Sequence, residues 1–181
     1  MNNVIPADVL GFWREAGPDK WFEQDDAFDA AIRDRFLATY EAAAGGRLAA
    51  WEGDAEGALA LVIVLDQFPR NMFRGNARSF TADPLARAVA DRAIARGFDK
   101  LYVPPEQRFF YLPFMHAENL EDQERCIALC RAAADDEGLK YAELHADIIR
   151  RFGRFPHRNK ILGRTTTPEE QAFLEGGGFA G

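Results

Sequence analysis

Long apolar runs are missing from this sequence. The longest, Ala58 to Leu65, has eight residues, far short of the ~20 that a membrane-spanning helix needs, so no membrane partner is expected. Cysteine is scarce: Cys126 and Cys130 stand alone, one helical turn apart, with no second pair to build a metal site or a disulfide framework. Positive charge is in deficit, with 22 Lys and Arg against 29 Asp and Glu and a net charge of −7, which argues against a general grip on nucleic acid. The first residues, Met1 to Pro6, lack a basic segment followed by an apolar stretch, so no secretory signal is expected and a cytoplasmic location is. No Gly-rich phosphate loop, nucleophile elbow, dinucleotide fingerprint or H-E-x-x-H spacing occurs. Neither a metal nor another cofactor is therefore expected.

What is present suits a folded helical domain. Of 181 residues, 48% are hydrophobic and 12% aromatic, enough apolar surface for one core spanning 1–181. Helix start and stop signals recur. Asp25 or Asp26 caps a segment with Phe28, Ile32, Phe36 and Tyr40 on one face, stopped by Gly45 and Gly46. Asp83 and Pro84 open another with Leu85, Val89 and Ala93 inward, closed by Gly97. Pro104 and Pro105 open a segment bearing Phe109 and Phe110 that Pro113 must kink or end. Asn119 caps a helix with Cys126, Cys130 and Ala133 inside and Gly138 after it, and the next helix aligns Tyr141, His145, Ile149 and Phe152. Thr167 to Glu170 is a capping box before Phe173 and Leu174, and Gly176 to Gly178 should fray into a tail at about 176–181. The run Ala58 to Leu65 reads as strand or helix. With no second strand to pair, and Asp54 as a cap, a helix ending at Phe68 before Pro69 is expected.

Charge is unevenly placed. Between Ile148 and Pro168 lie Arg150, Arg151, Arg154, Arg158, Lys160 and Arg164 without an acid, leaving the rest of the chain at −13. Two stretches look alike: Asp66-Gln67-Phe68-Pro69-Arg70-Asn71 and Arg154-Phe155-Pro156-His157-Arg158-Asn159. Each ends an apolar segment with Phe-Pro and then presents polar groups on a corner, the usual place for binding residues. Guanidinium forks grip carboxylate or phosphate, so an anionic small molecule or peptide is the expected partner. The bland alternative is that Asp66 pairs with Arg70 four residues on, and that Glu118, Asp122 and Asp147 take up the remaining arginines. A third stretch places His116 and Glu118 at a kinked helix end just before Asp122. There Asn119 and Asp122 serve as cap and N-terminal carboxylate, or else His116, Glu118 and Asp66 do acid/base work in a hydrolase or lyase. His145, on an apolar face, reads as a hydrogen-bonded core residue.

Several of these strings together resemble a known family. Leu65 to Asn71, Tyr111 to His116, Glu121 to Glu124, Arg151 to Asn159, the opening Val9 to Trp13 and the pair Trp21-Phe22 are similar to the signatures of the bacterial domain-of-unknown-function family 924. The resemblance covers nearly the whole chain. It implies an all-α fold of antiparallel helix pairs in a tetratricopeptide-repeat-like right-handed superhelix, although no repeat is legible. It supplies no catalytic residues. The chain departs from the family pattern at Ala117 and Cys126, where Ser is usual, which alters the polar corner around His116 if those hydroxyls matter.

Overall fold

The computed structural model describes residues 4–179, and among these every regular element is a helix or a helical turn. The elements are α1 (Pro6–Ala16), α2 (Pro18–Trp21), α3 (Asp26–Ala44), α4 (Ala55–Val62), α5 (Phe68–Met72), α6 (Asp83–Ala95), α7 (Leu112–Met115), α8 (Leu120–Ala132), α9 (Asp136–Phe152) and α10 (Pro168–Glu175). Short 3₁₀ turns fill several of the connections.

The rod formed by α4, a π-turn over Ile63–Gln67 and α5 runs through the centre, and every residue from Gly57 to Pro69 is buried. Its apolar surface goes all the way round, as a helix enclosed on all sides requires. Helices α1, α3 and α6 pack against it. The rod corrects the expectation that Pro69 ends the helix. Proline lacks the N–H that would answer the carbonyl four residues back, and its ring crowds that carbonyl. Here the turn widens immediately before it: the Phe68 N–H bonds to the Ile63 carbonyl, five residues back, and the chain continues helically to Met72. Asp66 and Gln67 lie in the widened turn, and Arg70 and Asn71 lie on a helical turn rather than an irregular corner.

The caps explain most boundaries. Asp25, Asp54, Asn119 and Thr167 each accept an N–H of the first turn of their helix. Helices α8 and α9 form a hairpin across Ala133–Asp135, and the short link makes them antiparallel. Gly138 belongs to the first turn of α9, not to the link. Its N–H bonds to Asp135 Oδ1, and a Cβ there would stand 2.2 Å from Asp135 Oδ2 and 2.9 Å from Arg108 Nε. Only glycine leaves room for the fork of Arg108 on Asp135 (2.7 and 2.6 Å).

Four other expectations are corrected. Leu85 and Tyr141 face outward, because their neighbours Val89 and His145 already fill the inner face. The residues after Pro105 form a 3₁₀ turn at Glu106–Phe110, and Pro113 sits in the first turn of α7, where its missing N–H costs nothing. The glycines after α10 do not simply fray. The Gly178 N–H returns to the Phe173 carbonyl, and Phe179 packs edge-on to His145 with centroids 4.6 Å apart. Residues 180 and 181 of the expected tail lie outside the described residues.

Arg108 and Asp135 are 6% and 4% exposed. Removing the cation alone, in Arg108→Ala, leaves the carboxylate uncompensated, a loss of about 3–5 kcal/mol. Urea unfolding should show that loss, and an unchanged midpoint would refute the pair's structural role.

Candidate functional site

Two widely separated segments converge on one carboxylate. Asp83, the first residue of α6, receives both guanidinium nitrogens of Arg70 from the central rod (2.9 and 3.0 Å). Arg158, from the 3₁₀ turn Pro156–Arg158, approaches the same carboxylate at 3.8 Å. Both guanidinium groups lie over the Phe80 ring, at 5.7 Å for Arg70 and 4.5 Å for Arg158, and Phe155 covers Arg158 at 4.6 Å. The two Phe-Pro stretches therefore meet. Between them opens a cavity of about 620 Å³ reached by Gln67, Arg70, Asn71, His116, His145, His157, Arg158 and Phe179, with Arg74, Arg108 and the Trp21–Gln24 segment at its margins.

Compensation of charge differs among the cavity's arginines. Arg74 has a fork on Asp29, and Arg108 has Asp135 and Glu137. Arg70 has Asp83 and, at 3.4 Å, Asp66. Arg158 is only 6% exposed, yet among the described residues it has no closer acidic partner than the carboxylate already forked by Arg70. Its Nε is buried with no hydrogen bond. Burial, and then the charge of Arg70, lower its pKa to about 10. It is still a cation at neutral pH, and an under-compensated one.

The histidines are neutral. Burial is the largest cause in each case. It brings His145 and His157 down to about 4, with His116 next in effect for His145 and Arg158 for His157. His116 is lowered by burial and by Arg70, against the opposing pull of Asp66. Its Nδ1 lies 2.9 Å from Oδ1 of Asp66, which is fully buried. Burial would raise the Asp66 carboxyl, but Arg70 and then His116 hold it below the usual range, so it is ionised. An ionised carboxylate only accepts. His116 therefore carries its proton on Nδ1 and turns an Nε2 lone pair the other way. Gln67 donates to the second Asp66 oxygen, and Gln123 donates to the Met115 and Ala117 carbonyls on either side of His116 (2.6 and 2.8 Å). His157 Nδ1, like Arg158 Nε, is buried with no hydrogen-bond partner among the described residues.

Of the residues expected at the site, Asp66, Gln67, Arg70, Asn71, His116, His157 and Arg158 come together here. The other four lie elsewhere. Glu118 accepts the Phe155 N–H and a fork from Arg164 (2.6 and 2.9 Å). Asp122 faces Arg87 at 3.3 Å. Arg154 forks onto Glu170, which also takes Asn159 Nδ2 at 3.0 Å. These ties knit the Arg-rich segment to α10, and Arg70 and Arg151 also pair with Asp66 and Asp147 four residues back (3.4 and 3.5 Å), so the internal-pairing alternative describes Arg70, Arg151, Arg154 and Arg164 while leaving Arg158 short. Sequence reasoning missed Asp83 as the shared partner, Phe80 as a platform and Phe179 as a wall. It read His145 as core; the ring does bond the Tyr141 carbonyl through Nδ1 (2.7 Å), but it also faces the cavity. Among the described residues no group of three or more His, Cys, Asp and Glu side chains is placed to hold a metal ion, and no helix is long and apolar enough to cross a membrane.

Residues 9–178 match the family described as bacterial protein of unknown function (DUF924). The chain belongs to this family. A solved structure of a protein of unknown function from Agrobacterium tumefaciens, ATU0120, is 51% identical, with a TM-score of 0.92 over 94% of this chain and 97% of that one. The structural match supports the all-α architecture. No curated protein matches the chain.

The depressed histidines make stability pH-dependent with a definite sign. Between about 4 and the unfolded value of about 6.5 the unfolded chain binds more protons, so stability falls as pH falls through that window. Each of His145 and His157 should contribute on the order of 2–3 kcal/mol of loss by pH 4.5. Asp66 and Glu170, each lowered to about 2, lose their contributions as pH falls from about 5 through the ordinary carboxylate range toward 2, so most of that loss comes below pH 4.5. Urea midpoints at pH 7 and 4.5 check this: wild type should drop and His145→Gln/His157→Gln should drop far less, whereas equal drops would contradict it.

Proposed function

We propose that the protein binds a small anionic molecule, a carboxylate or phosphate, in the cavity between the two Phe-Pro stretches, with Arg158 as its main contact and Arg70 behind it. The observation that supports this is Arg158 itself, a buried cation whose Nε has no partner among the described residues and whose nearest carboxylate there is already engaged. Burying a charge without a full partner is costly, and such a cost persists where a ligand supplies the missing partner. The volume, about 620 Å³, suits a small molecule better than an extended peptide. The tetratricopeptide-repeat-like superhelix belongs to the same proposal and is supported by the antiparallel α8–α9 hairpin. So does a cytoplasmic setting, supported by two free, buried thiols.

Binding only to the folded state raises the melting temperature. Inorganic phosphate or succinate at millimolar concentration should therefore raise the wild-type melt. In Arg158→Gln that rise should vanish, because a charge-assisted contact of about 1.5–3 kcal/mol, some ten- to a hundredfold in affinity, is gone. The ligand-free variant should be at least as stable as wild type, since it loses an under-compensated buried charge. Arg154→Gln gives the opposite pattern, a lower melt through loss of the Glu170 tie with the anion response kept. A sharp loss of stability in Arg158→Gln, with no anion shifting the wild-type melt, would reduce Arg158 to an internal tie.

A further inference from the structure

The cavity holds two imidazoles whose tautomers are set by their surroundings. His116 Nδ1 meets Asp66 Oδ1 at 2.9 Å, and His145 Nδ1 meets the Tyr141 carbonyl at 2.7 Å. Both partners only accept, so each ring keeps its proton on Nδ1 and its lone pair on Nε2. Neither Nε2 has a protein hydrogen-bond partner among the described residues, both rings line the cavity, and their centroids are 6.4 Å apart. A water held in the cavity can donate a proton to an Nε2, which leaves its own lone pairs for an electrophile. Ser79, at the cavity margin, is engaged as a donor to the Phe73 carbonyl, and both cysteines are buried and do not line the cavity.

We propose that the site hydrolyses a small carboxylic ester carrying a free anionic group, with Arg158 anchoring the anion, His116 acting as general base on water and His145 orienting that water. This rests on the anion-binding reading above. The water oxygen bonds to the ester carbonyl carbon while its proton passes to His116 Nε2, and the carbonyl π pair moves onto oxygen. Collapse of the tetrahedral species breaks the bond to the alcohol oxygen, which takes the proton back from His116. Ester and water become acid and alcohol, and the imidazole returns neutral. Asp66 remains ionised, holds the Nδ1 tautomer and stabilises the imidazolium while it lasts. It is a positioning residue. Besides burial, the groups that set the titration of His116 are Arg70 and Asp66 from the central rod and Asp83 from α6, and His145 from α9 with His157 and Arg158 from the Pro156 turn line the same cavity.

The probe is 4-acetoxybenzoate, an aryl acetate with a remote carboxylate, with phenyl acetate as the uncharged control. Full-length wild type should release 4-hydroxybenzoate above the buffer rate and prefer the charged ester. In His116→Gln kcat should fall a hundredfold or more, while the phosphate-induced rise in melting temperature persists. Arg158→Gln should raise KM more than it lowers kcat. Asp66→Asn should lower kcat and move the acid limb of the pH profile. Because the Asp66 variant can fail to fold, the wild-type tautomer is read directly by long-range ¹H–¹⁵N spectra, where a proton on Nδ1 of His116 is expected and one on Nε2 overturns the proposal. Absence of wild-type hydrolysis, or an unchanged rate in His116→Gln, overturns it too. If phosphate still raises the wild-type melt in that case, the binding reading survives; if phosphate has no effect, both fall.

Discussion

One carboxylate serves two arginines. Asp83 is forked by Arg70 and approached at 3.8 Å by Arg158, and that sharing joins the central rod, α6 and the Pro156 turn into one wall. The N-terminus of a helix is a favourable place for such a carboxylate. Its two oxygens cannot give both guanidinium groups full forks. Arg70 takes the better geometry, and Arg158 is left buried between Phe80 and Phe155 with an unpartnered Nε. Stacking on aromatic faces offsets part of the cost of holding a cation there. The remainder is what makes the cavity receptive to an anion.

The rest of the site follows from the way the rod passes Pro69. A regular helix would have met a steric conflict there, and the π-turn that relieves it carries Asp66 and Gln67 into the core. A carboxylate buried in that turn needs partners, and it finds Arg70, Gln67 and His116. Insertions of this kind inside helices are frequent at functional sites. The same local distortion thus buries the anion that orients His116 and sets Arg70 to reach Asp83.

Much of this was legible in the residues. The caps at Asp25, Asp54, Asn119 and Thr167 placed four helices, and the repeated Phe-Pro pattern pointed to Arg70, His157 and Arg158 before their convergence was visible. What escaped had physical reasons. Pro69 reads as a stop because the usual rule concerns the α geometry, and nothing local announces a π-turn. Glu118, Asp122, Arg154 and Asn159 share the composition of the site but are engaged by Arg164, Arg87 and Glu170, partners up to 46 residues away. Phe179 followed three glycines and looked like tail. Its packing depends on His145 and His157, which only the folded chain brings near.

Arg158 lacks a full partner among the described residues, and an anion in the cavity would supply one. Crystals soaked in selenate, whose selenium scatters anomalously, test it directly. An anomalous peak is expected in the cavity, with a selenate oxygen within hydrogen-bond distance of the terminal guanidinium nitrogens of Arg158. Selenate bound only at other basic surfaces, with this cavity free of anomalous signal, would contradict it.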